Sequence, residues 1–128
     1  MKKALIVSPY LDHLGGGERY MLTCASSLES LGYEVSIGWD NLESISNICR
    51  MLAIDLKNPV LVPHIRELYH SRNPLSMIMA TRPYDVVVYL SDGSIPLLGG
   101  GINLLHMQVP FHNVNGSNWK NKLKLKTI

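Results

Sequence analysis

The residues best suited to chemistry stand near the amino end, in Gly15-Gly16-Gly17-Glu18-Arg19. A short apolar run, Ala4 to Val7, precedes them, and an amphipathic segment starts at about Glu18. Met21, Cys24, Ala25, Leu28 and Leu31 recur there three to four residues apart, the period of a helix with one buried face. A buried strand, a glycine loop and a helix place helix N-terminal amides at the carboxyl end of a strand, a position suited to a phosphate or another anion. A glycine-rich turn that merely allows tight packing has the same pattern. Glu18 also has two roles open to it. A carboxylate in the first turn stabilises the helix dipole by roughly 0.3–1 kcal/mol, or it accepts a hydrogen bond from a hydroxylated ligand.

Spacing excludes two phosphate loops. The dinucleotide fingerprint is G-x-G-x-x-G. Gly15 and Gly17 supply its first half, but Tyr20 stands where the third glycine belongs, and Ser8 to Leu14 separate the strand from the glycines. A Walker loop fails because no Gly-Lys-Ser/Thr follows. Further along, His106 ends an apolar run. On the residues alone this is most simply a satisfied histidine at a strand end. Asp92, in Ser91-Asp92-Gly93, ends a strand and either meets a ligand hydroxyl or makes an Asx-type turn. Asp12 and His13 sit in the first loop, where they could line a binding site. His64, His70 and His112 are scattered, with no carboxylate or cysteine at ligand spacing, so no metal site is expected.

The elements that must position these residues alternate. Gly32 closes the first helix. Glu34 to Trp39 alternates as a second strand, and Leu42, Ile45, Cys49 and Leu52 mark a second helix. Pro59 and Pro63 bracket a short extended piece at Val60 to Val62, followed by a helical turn with Ile65, Leu68 and Tyr69. Asn73-Pro74 reads as an N-cap and first-turn proline, opening a helix with Leu75, Ile78 and Met79 inward and Pro83 beyond its end. Asp85 to Leu90 (DVVVYL) is the clearest strand, and its continuous apolar core predicts burial on both faces. Gly99, Gly100 and Gly101 read as a flexible connection to a last strand, Ile102 to Met107. This alternation predicts an α/β fold, a Rossmann-like parallel sheet flanked by helices with right-handed crossovers.

With 128 residues, 46% of them hydrophobic and 17% charged, the chain suits one globular domain. A net charge of +2 gives no case for nucleic acid. Two cysteines, both expected to be buried thiols, fit a reducing, cytoplasmic setting. Met1-Lys2-Lys3 resembles the start of a signal peptide, but the run Ala4 to Val7 is shorter than the ~7–15 residues such a core needs. Lys120, Lys122, Lys124 and Lys126 crowd the carboxyl end without an acid between them. They form a solvated face, with peripheral contact at the inner face of a membrane as the alternative. The lysines alternate as in a strand, while Trp119 and Leu123 suit a helix, and the pattern stops at Ile128 as if inside an element or at an ordinary frayed terminus.

Strand, long loop, Gly15-Gly16-x-Glu18-Arg19 and helix together resemble the GGxER opening of family 4 glycosyltransferases of the GT-B fold. Gly17 falls at the variable position. Tyr84-Asp85-Val86-Val87 is similar to the strand beginning (Y/F)D(V/I)(V/I) in these enzymes, and Leu104 to Phe111 (LLHMQVPF) resembles the segment carrying the family's histidine, here His106. The resemblance covers residues 1 to about 111. It implies the N-terminal, acceptor-side domain of a retaining glycosyltransferase, incomplete at its carboxyl end, across a cleft from a donor domain not in this chain. By position, Gly15, Gly16 and Gly17 would bind the donor diphosphate, His106 would be catalytic, and Glu18, Asp92 and Asp12 would bind the acceptor. The implied partners are a nucleotide-sugar donor and a glycan or lipid-linked acceptor; no cofactor or metal is implied. A dimer of the chain through an exposed sheet edge is a further expectation. Two other functions stay open. One is a nucleotide- or dinucleotide-binding domain of another α/β enzyme, with Asp40 after the second strand as the ribose-binding acid. The other is a non-catalytic interaction module.

Overall fold

A strand buried along its whole length must lie inside a sheet covered on both sides. The computed structural model, which describes residues 1–9, 11, 16–71, 73–91 and 96–107, has that arrangement. Along the chain the elements are β1 (Lys3–Val7), α1 (Gly16–Ser30), β2 (Glu34–Ile37), α2 (Leu42–Met51), β3 (Val60–Leu61), α3 (Pro63–Ser71), α4 (Pro74–Thr81), β4 (Val86–Ser91) and β5 (Ile102–Met107). The strands form one sheet in the order β3-β2-β1-β4-β5, and every neighbouring pair is parallel. The fold is the predicted α/β, Rossmann-like parallel sheet flanked by helices. Among the described residues no helix is long and apolar enough to cross a membrane.

Side chains of the two central strands divide by parity. Ala4 and Ile6 of β1 join Val86, Val88 and Leu90 of β4 in a cluster with Met21, Leu22 and Ala25 of α1 and Ile45, Ile48 and Cys49 of α2. Leu5 and Val7 join Val87 and Tyr89 on the opposite face, against Ile65 and Tyr69 of α3 and Met77 of α4. Two helices therefore cover each face of the sheet.

Helix ends follow from local chemistry. Asn41 and Asn73 cap α2 and α4, each accepting from the amide three residues on. At the end of α1, Gly32 takes φ +93°, its amide donates to Glu29 O (3.0 Å) and that of Tyr33 to Leu28 O (3.1 Å). These are the paired bonds of a helix that stops on a left-handed residue. Leu31, expected on the apolar face, is 74% exposed because the helix has already ended at Ser30. The same bonds close α2, from Ala53 to Arg50 O (3.3 Å) and from Ile54 to Cys49 O (2.8 Å), but here the left-handed residue is Ala53, at φ 55°.

Three expectations need correction. Cys24 is half-buried, while Cys49 is buried. The inward face of α4 is carried by Met77 and Thr81; Leu75 and Met79 are exposed and Ile78 is half-buried. A polar tie turns the helix this way: Thr81 Oγ1 donates to Met77 O (2.7 Å) and accepts from the Gly99 amide (2.8 Å). Nor is the second glycine triplet a flexible connection. A Cβ on Gly99 would run into the Ile78 carbonyl oxygen, one on Gly100 would lie 2.6 Å from Val87 Cγ2, and one on Gly101 2.9 Å from Asp85 O. These glycines let the chain entering β5 lie directly on α4 and the start of β4.

Two stability changes are expected. Replacing Ala53 by Gly removes left-handed strain and should raise the unfolding free energy by about 0.5–1 kcal/mol, read from urea denaturation. Gly99→Ala should lower it by about 1–3 kcal/mol, because the obstructing atom is backbone and cannot swing aside.

Candidate functional site

Strands β1 and β4 lie side by side, but their onward connections run to opposite edges of the sheet. Where such connections part, a crevice opens outside the carboxyl ends of the strands, and ligands of open α/β sheets bind there. The chain leaves β1 through Ser8 and is held at Leu11, which is fully buried against the α1 side of the core. It then enters α1 at this crevice.

Helix α1 begins at Gly16, two residues before the expected start at Glu18. Gly16 and Gly17 thus supply first-turn amides instead of forming a loop. The first four amides of a helix have no partner within it, and they carry the positive end of its dipole. Gly15, Asp12, His13 and Asp92 lie outside the described residues.

Glu18 is only 8% exposed. It shares the sheet-facing stripe of Met21, Leu22 and Ala25, one turn nearer the crevice. Among the described residues its carboxylate has no hydrogen-bond or ion-pair partner. The dipole contributes roughly 0.3–1 kcal/mol to a carboxylate in this turn. An acceptor left unsatisfied in a buried setting costs about 1–3 kcal/mol, and more when charged. The dipole therefore does not account for where Glu18 is held. Its neighbour Arg19 is exposed and, among the described residues, makes no ion pair.

His106 comes to the same place from the other end of the chain. It is the penultimate residue of β5 and pairs with Leu90 of β4. Its half-buried ring stacks on Tyr20 of α1, with centroids 3.9 Å apart and planes 12° from parallel. The glycine-led helix and the histidine, far apart in sequence, are joined by this contact. Tyr20 is absent from the sequence-derived candidates because it lies off the apolar stripe of α1. An aromatic residue on the polar side of a helix, next to the glycines, is the signal that could have found it. Its hydroxyl bonds the Cys24 thiol. Charge on Cys24, then burial, then that bond raise the Tyr20 hydroxyl above its ordinary pKa. Burial raises the Cys24 thiol, with the Tyr20 bond opposing, and burial alone raises Cys49. At neutral pH both thiols are therefore held protonated.

Asp40 is already engaged. Arg66 of α3 donates to Asp40 Oδ2 at 2.9 Å, and its guanidinium lies 4.0 Å from the centre of the Trp39 ring. Trp39 Nε1 in turn donates to Ser44 Oγ (3.0 Å). A carboxylate committed to this stack is poorly placed to take a ribose. His64 is exposed on α3. The side chain of His70, and His112 with the four carboxyl-end lysines, lie outside the described residues. Among the described residues no three His, Cys, Asp or Glu side chains converge.

Comparison with family models, with curated proteins and with solved structures finds no match to this chain.

The Tyr20–His106 stack has a direct readout. Tyr20→Ala should move the His106 ring-proton resonances downfield as the ring current of the facing phenol is lost, while Tyr20→Phe keeps them within about 0.2 ppm of their place because an aromatic face remains.

Proposed function

We propose that this chain is the N-terminal, acceptor-side part of a retaining glycosyltransferase of the GT-B, family 4 type. The whole enzyme would transfer a sugar from a nucleotide-sugar to a hydroxyl of a glycan or lipid-linked acceptor. One observation carries the reading: the GGxER helix start and His106, the two segments that resemble the family, meet through Tyr20 at the crevice where the sheet order reverses. The resemblance supplies the chemistry, and the contact shows only that the two segments are neighbours.

In this reading the amides of Gly16 and Gly17 face the diphosphate of the donor. Fixed donors at a helix N-terminus stabilise the charge that grows on the leaving diphosphate, without reorganisation during the reaction. The His106 imidazole hydrogen-bonds the reacting sugar or polarises the leaving group. Glu18 accepts from a hydroxyl in the crevice. The donor domain that completes the cleft is not in this chain, so the 128-residue protein alone is expected to turn over no nucleotide-sugar.

The test is kinetic. In the protein made from the whole reading frame, His106→Ala should lower kcat for sugar transfer by about 10²–10⁴-fold while leaving the folded state intact by circular dichroism. Unchanged turnover would remove the assignment, as would turnover of a nucleotide-sugar by the 128-residue chain alone.

A further inference from the structure

We propose that β5 is the dimerisation strand of this chain, pairing antiparallel with β5 of a second copy about Leu105. The pairing goes beyond the transfer reading and stands or falls without it.

The two edges of the sheet differ. At one, β3 spans only Val60–Leu61, with Pro59 before it and Pro63 just after. A strand so short, flanked by residues without an amide hydrogen, blocks further pairing. At the other, β5 runs for six residues, INLLHM, with no proline and no lysine, arginine, aspartate or glutamate. Charges and prolines are the ordinary guards of an edge, and β5 has neither. Among the described residues it pairs only with β4. It leaves Ile102 and Leu104 exposed on the α1 side of the sheet and Leu105 and Met107 exposed on the α4 side.

The register follows from the backbone. The Ile102 amide donates to Asp85 O (2.8 Å), so Ile102, Leu104 and His106 turn their backbone groups toward β4. The amides and carbonyls of Asn103, Leu105 and Met107 then point outward. Leu105 is the middle residue of the three. A two-fold antiparallel pair centred on it sets Leu105 opposite Leu105 of the other copy and Asn103 opposite Met107, and it engages every outward group of β5 in about six hydrogen bonds. Centres shifted along the strand leave outward groups unpaired at one end. No charge on β5 meets a like charge, and a net charge of +2 per copy adds little repulsion. An edge that carries no charge to select a foreign strand, and whose outward groups are symmetric about Leu105, is complementary to itself. Four exposed apolar side chains per copy fall short of the ~1,600 Å² of a standard interface, so the dimer dissociates on dilution. The same register sets Leu104 of one copy beside His106 of the other, a close pair on the α1 side. Each copy thus adds a side chain next to the Tyr20–His106 stack of the other.

The experiment is sedimentation equilibrium of the 128-residue chain from micromolar to millimolar concentration, where a reversible dimer is expected. Leu105→Lys and Leu105→Glu, each checked for folding by circular dichroism, should raise the dissociation constant of the dimer at least about tenfold by setting like charges face to face at the two-fold axis. An equimolar mixture of the two variants should regain the dimer, because opposite charges then meet. In a wild-type sample with half of its copies isotope-labelled, the Leu104 methyls should show an intermolecular Overhauser contact with the His106 ring. This reading needs no variant, so it decides the case where the substitutions prevent folding. A monomer at every concentration overturns the proposal. That includes a monomer whose Asn103, Leu105 and Met107 amides resist exchange, which would give the edge to residues 108–128. A dimer that survives Leu105→Lys, or one without the Leu104–His106 contact, overturns it as well.

Discussion

Burial of β1 and β4 on both faces is the constraint from which the rest of this structure follows. Each strand presents apolar side chains to two sides, so helices must cover both sides of the pair. Right-handed crossovers then dictate the winding. The path from β1 to β2 and on to β3 passes through α1 and α2 on one face, and the return to β4 passes through α3 and α4 on the other. The reversal between β1 and β4 is unavoidable in this winding. The amino end of α1 opens beside that reversal because the chain leaving β1 has no other way to cover the Ala4–Ile6 face.

Several side-chain clips that hold the fold lie at the end of the sheet away from this crevice. Asp85 Oδ2 accepts from the Lys3 amide at the amino ends of β4 and β1 (2.8 Å). The Glu29 carboxylate, near the end of α1, accepts from the amides of Lys57 and Asn58 (2.8 and 2.9 Å). Asn103 and Gly100 bond each other twice at the entrance to β5 (3.1 and 3.0 Å). All of these lie at the amino edge of the sheet. At the carboxyl edge, the Tyr69 hydroxyl donates to Leu90 O (2.9 Å) and its ring stacks on Tyr89, with centroids 5.0 Å apart. That pair stiffens the end of β4 without occupying the α1 side of the crevice. The Arg66–Asp40 pair beyond β2 also lies at this edge, yet Glu18 at the start of α1 has no partner among the described residues.

Much of the frame was legible in the sequence because it is written in local patterns. The run Val86 to Leu90 could only be a doubly buried strand, and Asn73-Pro74 and Gly32 marked helix ends by mechanisms that act within a few residues. What escaped depends on neighbours brought from elsewhere. The orientation of α4 is fixed by the Thr81–Gly99 bond, and eight residues of mixed apolar character carry no period strong enough to foretell it. Three glycines in a row look the same whether they permit motion or close approach; the carbonyls of Ile78 and Asp85 decide. The candidate site was half legible. Gly16, Gly17, Glu18 and His106 were named from types and spacing. The burial of Glu18 and the stack of Tyr20 on His106 depend on the register of β5 against β4 and on how α1 lies across both.

That register also limits what the crevice can do unaided. Among the described residues β5 pairs only with β4, and it exposes apolar side chains on both sides, Ile102 and Leu104 on one and Leu105 and Met107 on the other. Tyr20 covers one face of the His106 ring, which remains half-buried. On the proposed reading, transfer to an acceptor in preference to water requires that water be kept from the reacting sugar beside this ring. Tyr20 of α1 occupies one face of the ring, and on that reading a donor domain closing over the other side would exclude the water. Closure and catalytic competence of His106 would then be a single event.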